Sequence, residues 1–169
     1  WYERQAQLGR KITDRMRDLG MSPCLPGFLG MAPQKYVKDT GAKSYAGTWC
    51  GFNSPLLLSP GEAFDKMAEQ YYRYIKKVYG FTPSSYSMDP VHERGLPSGM
   101  TTTAFSALCD ACRVAMNDYG GDTPLWVAQM WQVNADQHRI NALSNDNTLL
   151  LDLSSERITY KSRYGSKDY

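Results

Sequence analysis

The chain has 169 residues, with 42% hydrophobic and 21% charged, the composition of a globular rather than a disordered protein. Its 19 basic and 17 acidic residues leave a formal net charge of +2, which excludes a strong electrostatic case for nucleic acid or for a polybasic membrane contact. No apolar run approaches the roughly 18 residues of a membrane-spanning helix, and no secretory signal opens the sequence.

Residue 1 is Trp and begins a helical pattern already under way, so the chain is expected to be part of a longer one. Tyr2 to Leu19 carries Leu8, Ile12, Met16 and Leu19 at spacings of four, four and three, an amphipathic helix closed by Gly20. Met21 to Phe28 is a short apolar segment whose prolines bar a central antiparallel strand but suit a short barrel strand leading into a loop. Gly30 to Pro60 is punctuated by Gly and Pro and reads as one long loop, with Trp49 and Phe52 in it. A second helix is expected from Ser59 as cap and Pro60 at the first position to Tyr79, through Phe64, Met67, Ala68, Tyr71, Tyr74, Ile75 and Val78.

Ser84 to Met88 reads as a strand that runs into the polar cluster Asp89-Pro90-Val91-His92-Glu93. Thr101 to Tyr119 is a third helix, with Phe105, Leu108, Cys112, Ala115 and Met116 on one face. Leu125 to Val133 is a strongly apolar strand, Ala135 to Leu143 a short helix, and Leu149 to Leu153 a last buried strand. Helix and strand alternate, which implies parallel strands joined by helical crossovers. The long repeat fits about half of a (β/α)8 TIM-type barrel, with strands near 21–28, 84–88, 125–131 and 149–153 adjacent in that order and helices outside.

Four cysteines are present, and Cys109 and Cys112 form a C-x-x-C inside a helical pattern with no second pair at zinc-finger spacing. They read as buried free thiols on a helix. Aromatics reach 12%, with 12 Tyr and 4 Trp, enough to fill a core or to line a ring-binding site.

Catalytic residues of a barrel sit at the C-terminal ends of its strands, and three such ends here are chemically loaded. Asp89, His92 and Glu93 follow the second strand; Gln129, Trp131, Asn134 and Asp136 end the third; Asp152, Ser154, Ser155 and Glu156 end the last. The first cluster holds one of two histidines beside two carboxylates. A metal site there lacks further ligands at suitable spacing. Asp89 as a loop-structuring residue and Glu93 as a general acid or base are the remaining readings. Gln129 and Trp131 lie two apart and face the same side of their strand, toward packing or toward a sugar. His138, in a polar helix, is assigned no role.

At these residues the sequence resembles glycoside hydrolase family 89, the α-N-acetylglucosaminidases. The blocks that carry the resemblance are WYERQAQLGRKITDRMRDLGMSPCLPGFLGMAP, GTWCGFNSPLLLSP, SYSMDPVHE, PLWVAQMWQV and TLLLDLSSE, in this order over essentially the whole chain. MDPVHE is the best single marker and looks like the family's acid/base segment. The resemblance implies about strands 3 to 6 of the catalytic barrel, in a retaining exo-hydrolase that removes terminal non-reducing α-linked N-acetylglucosamine. It implies Glu93 as general acid/base, and Trp1, Trp49, Asp89, His92 and Trp131 as substrate-binding positions around the sugar. The nucleophilic Glu would follow a later barrel strand, so these residues alone hold one of the two carboxylates and are expected to be inactive. Glu156 lies on the wrong strand to replace it and reads as a surface carboxylate.

His92 stands where some members have Asn, and one position departs from the family pattern: Arg94 follows Glu93 where many bacterial members have Gly. No metal or organic cofactor is required by the implied chemistry. The partner that the resemblance implies is an N-acetylglucosamine-terminated glycan, and neither nucleic acid nor membrane is expected. The family is lysosomal in animals and exported or periplasmic in bacteria. Two rivals remain, a non-catalytic sugar-binding relative and another barrel hydrolase with a similar acid/base strand.

Overall fold

The computed structural model describes residues 1–49, 52–53, 56–89, 91, 96–130 and 147–152. In chain order the elements are α1 (Tyr2–Asp18), β1 (Cys24–Pro26), β2 (Met31–Ala32), α2 (Gln34–Thr40), β3 (Ser44–Tyr45), β4 (Thr48–Trp49), β5 (Phe52–Asn53) and β6 (Leu56–Leu58). There follow α3 (Glu62–Tyr79), β7 (Ser85–Ser87), α4 (Thr102–Tyr119), β8 (Leu125–Met130) and β9 (Thr148–Asp152).

Four of these strands form a parallel sheet in the order β1-β7-β8-β9, as the alternation of helix and strand leads one to expect. Register puts Leu25, Tyr86 and Trp126 side by side on one face. That face meets the helices: the Tyr86 ring lies edge-on to Tyr72 of α3 at 5.1 Å, and its hydroxyl donates to the carbonyl of Gly120, just past α4, at 2.8 Å. The core lies here, between this face and the helices α3 and α4, and includes Phe64, Ala68 and Tyr72 with Phe105, Leu108, Cys109, Cys112 and Met116. The C-x-x-C is thus core packing, and burial raises the Cys112 thiol well above its ordinary value.

The opposite face carries Cys24 and Pro26, Ser85 and Ser87, Val127 and Gln129, then Leu149 and Leu151. Its outermost leucines are open, Leu149 at 46% and Leu151 at 39% exposure. This is the face that lines the interior in a (β/α) barrel, and among the described residues the sheet does not close on itself.

The helix ends follow local chemistry. Thr101 caps α4, its hydroxyl accepting from the Ala104 N–H at 3.1 Å. For α3 the expected Ser59–Pro60 start is corrected: the helix begins at Glu62 with Gly61 as cap, because Ser59 still belongs to the strand side, its N–H donating to the Lys43 carbonyl at 2.8 Å. Gly80 closes α3 in the left-handed conformation, φ +76°, which L side chains rarely adopt.

Two further expectations are corrected. Residues 30–60 are no single loop: β2, β6 and β3 form an antiparallel sheet, β4 pairs with β5, and α2 sits among them. Strands of two or three residues are too short to show a period. The apolar stripe of α1 is also not buried here; Leu8, Ile12 and Leu19 are exposed. α1 instead approaches α3 at Gly9, where an added Cβ would press on the Tyr79 ring, and Arg17 stacks over Phe81 at 4.7 Å. The short helix expected at 135–143 lies outside the described residues.

Candidate active site

In a parallel sheet with helical crossovers, the chain leaves every strand at the same edge, and groups from different strands converge there. At this edge the backbone is held by aromatic side chains that reach it from the helix side. Two consecutive tyrosines of α3 take the exit of β1: Tyr71 Oη donates to the Pro26 carbonyl at 3.0 Å, and Tyr72 Oη accepts from the Phe28 N–H at 3.2 Å. Burial raises both phenols, Tyr71 to about 12 and Tyr72 further, so both stay protonated at neutral pH. Between these two anchors Gly27 donates its N–H to the Ser87 carbonyl at 3.0 Å. A Cβ on Gly27 would collide with the Met88 side chain, so glycine is what lets the β1 and β7 exits lie this close.

The β7 exit is held from the neighbouring strand. Trp126, fully buried on β8, donates its indole Nε1–H to the Met88 carbonyl at 2.9 Å. Asp89 follows and is buried, 7% exposed, with Oδ1 accepting from the Gln129 N–H at 3.2 Å. A carboxylate taken from water needs such donors, and a strand amide supplies one here.

Of the expected site residues, Asp89 is placed at the C-terminal end of β7, and Gln129 at the end of β8 beside it. Trp1 is the N-cap of α1, 81% exposed, its ring edge-on to Tyr2 at 5.2 Å. The Trp49 backbone pairs with Phe52 in the β4–β5 hairpin, which belongs to the excursion between the exit of β1 and α3. His92, Glu93, Trp131 and Glu156 lie outside the described residues. Among the described residues no group of three or more His, Cys, Asp or Glu side chains is placed to hold a metal ion, and no helix is long and apolar enough to cross a membrane.

Sequence reasoning missed Tyr72 and Trp126. Tyr72 is masked by a run of aromatics in which Tyr74 fits the helical stripe as well, yet Tyr74 is exposed. Trp126 was open to detection, because alternation from Gln129 along the strand puts residue 126 on the helix face. Its indole partner 38 positions away was not.

Comparison with known proteins places this geometry. Residues 1–169 match the family model described as alpha-N-acetylglucosaminidase (NAGLU) tim-barrel domain. The human alpha-N-acetylglucosaminidase (Homo sapiens) is 27% identical over 138 residues, which is 78% of this chain and 18% of that protein. A family 89 glycoside hydrolase from Clostridium perfringens, solved in complex with 2-acetamido-1,2-dideoxynojirmycin, is similar with a TM-score of 0.82 and 32% identity, over 96% of this chain and 19% of that one. The chain thus spans less than a fifth of the length of either relative.

Proposed function

This chain belongs to the alpha-N-acetylglucosaminidase TIM-barrel family, and on that premise we propose that it carries the acid/base half of a retaining exo-glycosidase acting on terminal non-reducing α-linked N-acetylglucosamine. The observation that carries the reading is the position of Asp89. It ends a central strand of the parallel sheet and stands four residues before Glu93, so the MDPVHE segment starts at the catalytic edge of a barrel. The clostridial relative bound to an amino-sugar analogue supports an N-acetylglucosamine ligand.

In this reading Glu93 is the general acid/base. Its carboxylic acid donates a proton to the glycosidic oxygen as the bond from the anomeric carbon to that oxygen breaks, while a second carboxylate forms a bond to the anomeric carbon. Water then attacks that carbon as the bond from it to the second carboxylate breaks and that carboxylate is regenerated, Glu93 takes the water's proton, and the sugar leaves with its configuration retained. Such a pair stands about 5–5.5 Å apart. We place the second carboxylate on a later barrel strand outside these 169 residues, which correspond to about strands 3 to 6. Among the described residues the sheet ends at β1 and at β9, where Leu149 and Leu151 are exposed, and this supports that placement. His92, Trp131 and Trp49 are proposed to border the sugar, with Trp1 a further candidate, as aromatic rings pack against the C–H faces of pyranosides.

Glu93→Gln in the full-length protein tests the reading. Hydrolysis of an unactivated N-acetylglucosaminide is expected to fall about 100- to 10,000-fold. Formation of the glycosyl-enzyme from an aryl glycoside with a good leaving group, which needs little protonation, falls much less. Equal activity of mutant and wild type on the unactivated substrate removes Glu93 from the acid role.

A further inference from the structure

The hydrogen bonds between β7 and β8 follow the even, slanted alternation of a parallel pair until the point where β7 leaves the sheet. Leu125 N–H donates to the Ser84 carbonyl at 2.8 Å, and Met88 N–H donates to the Val127 carbonyl at 3.1 Å. With Ser87 opposite Val127, the next rung of this alternation would join the Gln129 N–H to the Met88 carbonyl. Side chains take both groups instead. The Gln129 N–H goes to Asp89 Oδ1, and the Met88 carbonyl goes to Trp126 Nε1.

We infer that Asp89 and Trp126 together replace one rung of the ladder, and so fix the point at which the chain leaves the sheet ahead of the acid-bearing segment. The inference rests on the proposed role of Glu93. The two replacements act from opposite faces. Trp126 holds the Met88 carbonyl from the helix side, where its ring is immobilised in the core, while Asp89 follows Ser87 by two residues and has the parity of the interior face. The peptide between Met88 and Asp89 is therefore gripped on both sides, and each buried polar group keeps a partner. A simple continuation of the ladder would carry the chain on along β8. The exchange ends that pairing with the Gln129 amide and the Met88 carbonyl both satisfied. Asp89 and Trp126 are positioning residues in this account: they act through the backbone, and their carboxylate and indole need not touch the sugar.

The account separates geometry from charge. The replaced rung needs an oxygen acceptor at position 89 and an N–H donor on the ring at position 126. The test uses the full-length protein with an unactivated N-acetylglucosaminide. Asp89→Leu is expected to lower kcat about 100-fold with KM within about threefold, the cost of a misplaced catalytic group. Asp89→Asn, which keeps the oxygen, recovers most of that loss, and Trp126→Phe lowers kcat about tenfold. Amide exchange at Gln129, followed by NMR or by mass spectrometry of the peptide that contains it, accelerates in Asp89→Leu and not in Asp89→Asn.

Three results overturn the inference: Asp89→Asn as damaging as Asp89→Leu, which makes charge the essential property; a loss confined to KM or to inhibitor binding, which makes Asp89 a direct sugar contact; or unchanged Gln129 exchange in Asp89→Leu. The exchange measurement does not depend on what Glu93 does. An active Glu93→Gln enzyme would defeat the acid/base reading while exchange still decides whether the replaced rung exists.

Discussion

The two faces of the parallel sheet are packed very differently. On the helix side Leu25, Tyr86, Trp126 and Ala128 are buried and interlock with α3 and α4. On the other side the row through Ser87 and Val127 ends in two open leucines on β9. A strand alternates its side chains, so both faces are written into the same few residues, yet among the described residues one is packed by helices while the other runs from buried Val127 out to open leucines. The outer layer of a barrel is assembled locally, each helix against its neighbouring strands. The interior needs the whole ring, because a side chain there is covered by strands from across the barrel.

Substitution on the packed face should produce the largest change. Trp126→Ala removes the biggest fully buried side chain among the described residues and leaves the Met88 carbonyl without its indole donor. A loss of about 3–5 kcal/mol of unfolding free energy is expected in urea denaturation, as for other buried Trp truncations. A change below about 1 kcal/mol would mean that the helix face is not the stabilising one. On the open face, the double change Leu149→Thr with Leu151→Thr keeps strand propensity and removes exposed apolar surface. In residues 1–169 it should shift stability by no more than about 0.5 kcal/mol, the usual range for surface sites, and reduce self-association in size-exclusion chromatography. A loss comparable to that of Trp126→Ala would show that these leucines are already packed, and the contrast between the faces would vanish.

The same contrast explains what could be read in the sequence. The buried face of α4 was legible, because Phe105, Leu108, Cys112, Ala115 and Met116 repeat at helical spacing and the structure buries all of them. The four parallel strands were legible from their alternation with helices, and the order β1-β7-β8-β9 agrees. α1 shows the limit of that reasoning: periodicity identified an apolar stripe but not what covers it, and its contact with α3 runs through Gly9 instead. The short strands of residues 31–58 escaped because two residues carry no period. At the site, the carboxylate cluster stood out by composition. That Asp89 meets a backbone amide of the next strand depends on register, and register is set by pairing between segments about 40 residues apart, which local pattern does not encode.

The antiparallel sheet nested between β1 and α3 bears on the order of events during folding. Pairing β1 with β7 brings Cys24 against Ser85, a closure of about 60 residues that the chain must make at an entropic cost before contacts reward it. Within that span Met31 pairs with Leu57 and Tyr45 with the same strand, closures less than half as long. Once they form, the span between β1 and β7 is shortened to the stretches outside them and the helix α3. The small sheet would then act as a preassembled hinge that folds early and delivers the first strand to its neighbour. Pulse-labelled hydrogen exchange should find the Leu58 and Ser59 amides, which donate to Gly30 and Lys43, protected before those of Gly27 and Met88. Protection of all four in one step would show instead that the excursion assembles only as the barrel sheet does.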